Sequence, residues 1–296
     1  MWQVYKNGNY MVMINTKDGT KIRRTNEDKF IPSFAENCDC KITDKCDGDC
    51  PYCYEGCSRK GKHGSLMDKP FFDTLHPYTE LAINGNDMTH PELIPFLNKM
   101  KDKKVIVNIT VNQKHFEKNY NLLKGLYEAN LINGLGVSLT CSTTDFVNKI
   151  KTFKTAVLHV INGIFSEEDF NVVKGNKLKV LILGYKERGR GNGYLNSFAA
   201  EVQKNQEWLK KNLNTVSKEF LITSFDNLAL RQLAVEQLVS KEDWEKMYMG
   251  DDGDFTFYLD CVNNKFSKNS IADDTNRFDL LDNIDDMFNI IKNKHS

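Results

Sequence analysis

Six of the eight cysteines in this 296-residue chain, Cys38, Cys40, Cys46, Cys50, Cys53 and Cys57, crowd into 20 consecutive positions. A disulfide scaffold is short and spreads its cysteines along the chain. A tight group in a long chain points instead to a bound metal in a reducing compartment. The rest of the sequence has to fold around that group rather than be stapled by it. It has the length to do so, since a chain of this size buries about three quarters of the surface it exposes when unfolded. The two lone cysteines, Cys141 and Cys261, read as structural.

Charge narrows the partners. Lys and Arg number 40, as do Asp and Glu, so the formal net charge is zero. That balance argues against a protein that grips nucleic acid through a diffuse positive field. Hydrophobic residues make up 40% of the chain and prolines number only 6, the composition of a globular protein. No apolar run is long enough to cross a membrane, and the first residues lack the pattern of a secretory signal. A cytoplasmic protein is expected.

Three segments follow from the pattern of turns and periods. Residues 1–35 form an N-terminal β-hairpin extension on the flank of the main domain, with Asn7-Gly8 and Asp18-Gly19 as turn signals around a strand over 9–16. Residues 36–224 alternate strand and helix. Strands are predicted over 38–43, 80–84, 105–110, 136–140, 156–161 and 178–183, with a weaker one at 221–223. Helices are predicted over 91–101, 114–130, 145–151, 166–173 and 194–219. Repeated βα units of this length specify a parallel sheet. Six in succession favour a partly closed barrel over a doubly wound sheet. Residues 225–296 read as a helical and β cap: a helix over 225–250, a strand over 255–259 and an amphipathic helix at the end.

The segment that carries chemistry is ITDKCDGDCPYCYEGCSRKGKHG, residues 42–64. Cys46, Cys50 and Cys53 stand in it at Cys-x3-Cys-x2-Cys spacing, directly after a predicted strand. Thiolates so closely spaced can converge on one cubane iron–sulfur cluster. Three protein ligands leave one iron open, and a molecule with both an amine and a carboxylate, such as S-adenosylmethionine, can chelate it. The alternative is a zinc-stabilised binding module, although structural zinc takes four ligands in two pairs. Cys38 and Cys40 alternate on a strand and so share a face. Whether they and Cys57 bind a second centre stays open at this stage.

This loop, with an aromatic residue before its last cysteine, resembles that of the radical S-adenosylmethionine superfamily. The resemblance covers residues 36–224. CPYCYEGCSRKGKHG, LGYKERGRG and FTFYLDCVNNKFSKNS extend it, being similar to a branch carried by bacteria and their phages that lends no activity of its own. The resemblance implies an α/β fold with a partial (β/α)6 barrel, a short N-terminal β-hairpin and a C-terminal α+β extension. It implies a [4Fe–4S] cluster on Cys46, Cys50 and Cys53, reduced by a flavodoxin- or ferredoxin-like donor. That cluster would cleave S-adenosylmethionine to methionine and a 5′-deoxyadenosyl radical, which takes hydrogen from a substrate.

The resemblance also implies a cofactor-binding set. Tyr52 lies in the loop. Asn84, Gly85, Asn86 and Asp87 match a Gly-Gly-Glu-like turn, from which they depart in having Asn in place of the first Gly and of the Glu. Ser138 and Thr140 close the fourth strand, and Asn162 follows the fifth. Arg188 stands with Lys186 and Arg190 in a basic loop that suits an anion. A peptide or protein substrate is favoured slightly over a nucleotide-type one.

Overall fold

The computed structural model describes residues 1–294. Three antiparallel strands come first, β1 (Trp2–Asn7), β2 (Tyr10–Asn15) and β3 (Lys21–Arg24). The expected hairpin thus gains a third strand. Its sequence, KIRR, shows no apolar alternation because the inward positions are cations. Arg23 Nε lies 2.9 Å from Glu36 Oε1, and Lys21 Nζ lies 2.7 Å from Glu80 Oε2. Tyr10 donates its hydroxyl to Glu36 at 2.6 Å. The meander therefore seats on Glu36 and Glu80, at the N-terminal ends of the main strands.

The main sheet then builds up by βα steps. Its strands are β4 (Asn37–Lys41), β5 (Glu80–Asn84), β6 (Ile106–Asn112), β7 (Gly134–Ser138), β8 (Ala156–Ile161), β9 (Lys179–Leu183) and β10 (Ile222–Phe225). The intervening helices are α1 (Leu93–Asp102), α2 (Gln113–Lys118), α3 (Tyr120–Glu128), α4 (Thr144–Ile150), α5 (Glu167–Val173) and α6 (Arg190–Lys218). After them come α7 (Asn227–Leu233), α8 (Lys241–Met247), β11 (Thr256–Asp260), β12 (Lys265–Ser267), β13 (Phe278–Asp279) and α9 (Ile284–Asn293). The α5 start is a capping box, with Ser166 and Asp169 exchanging bonds with each other's backbone N–H.

The strand order is β10-β9-β8-β7-β6-β5-β4-β11-β12-β13. Every neighbour pair from β10 to β11 is parallel. The C-terminal segment, expected as a cap, therefore lengthens the sheet on the far side of β4. Apolar residues such as Leu81, Ile109, Val137, Leu158 and Ile182 cover one face and bury against the helices. The other face carries Asp39, Asn84, Thr110, Ser138 and His159.

That second face is concave. In a flat sheet β9 and β12 would stand seven strand spacings apart, about 34 Å. Yet Lys186, just after β9, donates to Ser270 Oγ, just after β12, at 3.2 Å. Asp252 closes the same gap, accepting from Asn227 Nδ2 at 2.7 Å and from Asn269 Nδ2 at 2.8 Å.

Several boundaries differ from expectation for local reasons. The long helix over 225–250 is broken, because Ala234 adopts the left-handed conformation with φ of 53°. The helix over 114–130 is two helices hinged at Asn119, whose φ and ψ are −108° and 22°. The helix over 194–219 begins at Arg190 and bends at Phe198, with φ −128° and ψ 31°. The fourth strand ends two residues early. Gln113 Oε1 takes the N–H groups of Thr140 and Cys141, at 3.1 and 3.0 Å, and so ends the ladder. Among the described residues no helix is long and apolar enough to cross a membrane.

Candidate functional site

The cysteine loop leaves β4 at the C-terminal end of the strands, where parallel α/β sheets bind ligands. The loop is closed by its own backbone. Ile42 O accepts from Gly64 N at 2.8 Å, Ser58 O from Cys46 N at 2.9 Å and Asp44 O from Ser58 N at 3.0 Å. From outside, Arg190 at the head of α6 clamps it. The guanidinium donates to Cys50 O at 2.9 Å and Cys57 O at 2.8 Å, and Arg190 N donates to Cys53 O at 3.0 Å. Before Arg190, Gly189 has φ of 55°, and a Cβ there would lie 2.4 Å from Tyr54 O. Only glycine allows this approach.

Cys46, Cys50 and Cys53 lie close enough for each to feel the charge of another. Cys46 senses Cys50 and Cys53, and Cys50 senses Cys53. Gly48 N donates to Cys46 Sγ at 3.4 Å, and the Asn112 amide donates to Cys50 Sγ at 3.2 Å. Burial pushes the Cys46 thiol up to about 11 and Cys50 up as well. The neighbouring Cys57 thiol holds the Cys53 thiol down and is itself raised.

Among the described residues no three His, Cys, Asp or Glu side chains gather as ligands of one metal ion. A closed zinc site asks for four convergent donors. A cubane makes a different demand. Its thiolates bind separate irons and need not meet at a point. The donor set fits that demand: three thiols on one loop, two of them receiving N–H bonds suited to thiolate sulfur. Gly48 leaves a cradle between them. A Cβ there would lie 3.3 Å from Cys46 Sγ and 3.7 Å from Cys50 Sγ.

Two histidines brace the loop's outer side. His90 Nδ1 accepts from Glu92 N at 3.1 Å, so its Nε2–H donates to Gly64 O at 2.8 Å. Burial lowers its pKa. His115 is fully buried, hydrogen-bonded through Nε2 to Asp47, and its ring faces Gly48. Its Nδ1 has no partner among the described residues. Asp47 is pushed down to about 2, chiefly by that His115 bond. The Asp47–His115 contact has no signature in the sequence, since its partners lie 68 positions apart.

The turn after β5 is tied to the loop. Asn84 accepts from Ile42 N at 2.7 Å and donates to Thr43 O at 2.6 Å. Asn86 donates to Thr43 O and Lys45 O, at 3.2 and 3.0 Å, and accepts from Asn84 at 3.2 Å. Its oxygen keeps a second lone pair. Gly85 is required, as a Cβ would lie 2.7 Å from Val111 Cγ1. Asp87 is buried and accepts from Thr89 Oγ1 at 2.6 Å.

The other expected residues are spread around the rim. Tyr52 packs edge-on to Tyr194, ring centres 5.6 Å apart. Ser138 ends β7, in register with Asn112 on one side and His159 on the other. Thr140 lies in the exposed loop beyond it. Asn162 is buried, donates to Gln232 Oε1 at 3.0 Å, and has an unpartnered Oδ1. Arg188 turns toward the C-terminal segment, donating to Ala272 O at 2.7 Å with Asp274 at 3.7 Å. Lys186 lies over the Tyr54 ring, 4.0 Å from its centre. The basic loop is thus consumed by contacts within the protein.

Cys38 and Cys40 face the helix-covered core rather than the loop. Cys40 Sγ lies 3.6 Å from Cys261 Sγ, both buried. Sequence reasoning missed two groups on the concave face. His159 lies over Gly136, where a Cβ would come within 2.5 Å of its Cε1. Burial pushes His159 down to about 4, so it is neutral. The second is Asp39.

No family model matches the chain, and no curated protein matches it in sequence. Among solved structures, SuiB of Streptococcus suis, crystallised with S-adenosylmethionine bound, shares the fold with a TM-score of 0.52. Identity is 11%, over 90% of this chain and 82% of that one.

Proposed function

We propose that this chain is a radical S-adenosylmethionine enzyme whose curled β4–β9 sheet is a partial (β/α)6 barrel. The observation that carries the reading is the three-thiol loop at the C-terminal end of β4, with the Asn112 amide on Cys50, in a fold shared with an S-adenosylmethionine-bound protein. Cys46, Cys50 and Cys53 hold a [4Fe–4S] cluster in this reading. When bound, cluster and S-adenosylmethionine supply reductive cleavage to methionine and a 5′-deoxyadenosyl radical.

The chain's own work is binding and orientation. Gly48 and Asn112 direct N–H groups at two of the ligand sulfurs, and Arg190 fixes the loop that carries all three. The Asn84–Asp87 turn joins that loop to β5 and offers the free lone pair of Asn86 to the amino group of the cofactor. Ser138, Thr140 and Asn162 border the concave face, and the unpartnered Asn162 Oδ1 is a ready acceptor. Tyr52 closes the loop side, and Arg188 stands beyond it. The electron comes from a flavodoxin- or ferredoxin-like donor in the cytoplasm. Because Lys186, Arg188 and Arg190 are engaged within the protein, a peptide or protein substrate fits better than a nucleotide-type one.

The test is anaerobic reconstitution with iron and sulfide, then dithionite and S-adenosylmethionine, with 5′-deoxyadenosine read by chromatography. Deoxyadenosine is expected from the wild-type chain and not from Cys50→Ala. Uptake of zinc without a cluster would overturn the reading in favour of a zinc-stabilised module.

A further inference from the structure

The concave face below the cysteine loop holds a carboxylate, Asp39, that has no partner among the described residues. Asp39 sits mid-strand on β4, between Ala82 of β5 and Tyr258 of β11. Cys38 and Cys40 on either side of it turn into the core, so Asp39 points to the concavity. It is open to solvent there, yet protein surrounds it, as expected inside a groove. Among the described residues it accepts no hydrogen bond and forms no ion pair.

Every charged group that acts on it is already engaged. Lys186 lies on the Tyr54 ring and donates to Ser270. Asp226 caps α7, accepting from Ala229 N at 2.7 Å and from Gly184 N at 2.9 Å. Asp252 bridges Asn227 and Asn269. The Tyr258 hydroxyl is given to Glu55 at 3.1 Å. Two carboxylates therefore add to the negative field at Asp39, and one spent ammonium opposes it. Burial and these two carboxylates raise Asp39 to about 6, against the pull of Lys186. A carboxylate that faces other carboxylates and meets no protein donor draws a cation into its groove.

We infer that Asp39 is the anchor for a cationic nitrogen of the substrate, so that the groove takes an amine- or guanidine-bearing group and rejects a phosphate-bearing one. This names the substrate class within the radical-enzyme reading and rests on it only in calling the occupant a substrate. A lysine- or arginine-like side chain, or a free amino group, meets the requirement. A small Ala82 beside Asp39 leaves lateral room for it.

The experiment uses the full chain without cluster or cofactor, so failure of the radical reading leaves it intact. Binding of n-butylammonium, with n-butanol as its neutral isostere, is followed by calorimetry and by saturation-transfer NMR at low ionic strength and pH 7.5. The wild-type chain is expected to bind the ammonium saturably and the alcohol at least tenfold more weakly. Asp39→Asn and Asp39→Ala, each checked for native circular dichroism, are expected to weaken the ammonium by fivefold or more and leave the alcohol unchanged. Equal ammonium binding by wild type and either folded variant would overturn the inference. So would the lack of saturable binding to the wild type.

Discussion

Two carboxylates only three residues apart, Glu36 and Asp39, show how differently the N-terminal edge of this sheet and its concave face use charge. Glu36 is 1% exposed, beneath the N-terminal meander. It carries Arg23, Lys21 and the Tyr10 hydroxyl. Asp39, on the concave face, has no partner among the described residues. Burial at Glu36 is offset by direct bonds and joins two parts of the chain. Asp39, open to solvent in the groove, is met by no donor among the described residues, which marks it as a place for something else. Unpaired polarity on a folded surface groove is the more informative of the two.

Breaking the satisfied side has the largest effect. Glu36→Gln leaves the half-buried Arg23 without its carboxylate, while Lys21 keeps Glu80, and is expected to cost about 3 kcal/mol, read as a lower urea midpoint with unchanged slope. An unchanged midpoint would mean that the meander is not held by this pair. Next comes Arg190→Met, which removes the guanidinium from Cys57 O and leaves Cys50 O with only the Cys53 N–H. A loss of about 2 kcal/mol is expected, with lower iron content after reconstitution. Normal iron uptake would show that the loop shapes itself.

The unsatisfied side moves the other way. The Asp39 carboxyl is about 6 in the folded chain against an ordinary 3.8. The folded state therefore binds this proton more tightly than the unfolded state. Its contribution is present below pH 3.8 and is lost as pH rises through about 6. Asp39→Asn is expected to remove that fall and to raise Tm at pH 7.5 by roughly 2–4 °C, the effect of about 1 kcal/mol after solvent screening. A lower Tm would show that Asp39 has a partner after all. The smallest effect belongs to Ala234, whose left-handed backbone is independent of either carboxylate. Ala234→Gly should stabilise by somewhat less than about 1 kcal/mol, seen as a small rise in urea midpoint.

Much of the fold was legible along the chain. The βα alternation from β4 to β9 follows from local periodicity, as does the α5 cap at Ser166. Elements whose logic is tertiary were less so. β3 reads as a polar stretch because its inward Lys21 and Arg23 answer Glu36 and Glu80, residues that no local window contains. The end of β7 depends on a Gln113 side chain 27 positions away. Arg188 belongs to a loop that suits an anion by composition, and in the fold that loop spends its cations on Ala272, Tyr54 and the cysteine loop.

The sequence by itself determined the spacing of Cys46, Cys50 and Cys53, the strand before them and the repeating units behind them. Each of these rests on backbone period or turn chemistry over a few residues. Only the tertiary structure decided that β11 lies beside β4, that the sheet curls until Lys186 meets Ser270, and that Asp39 on the concave face meets no partner among the described residues. Partnership is a property of three-dimensional neighbours, and whether a carboxylate is paired depends on what residues hundreds of positions away bring to it.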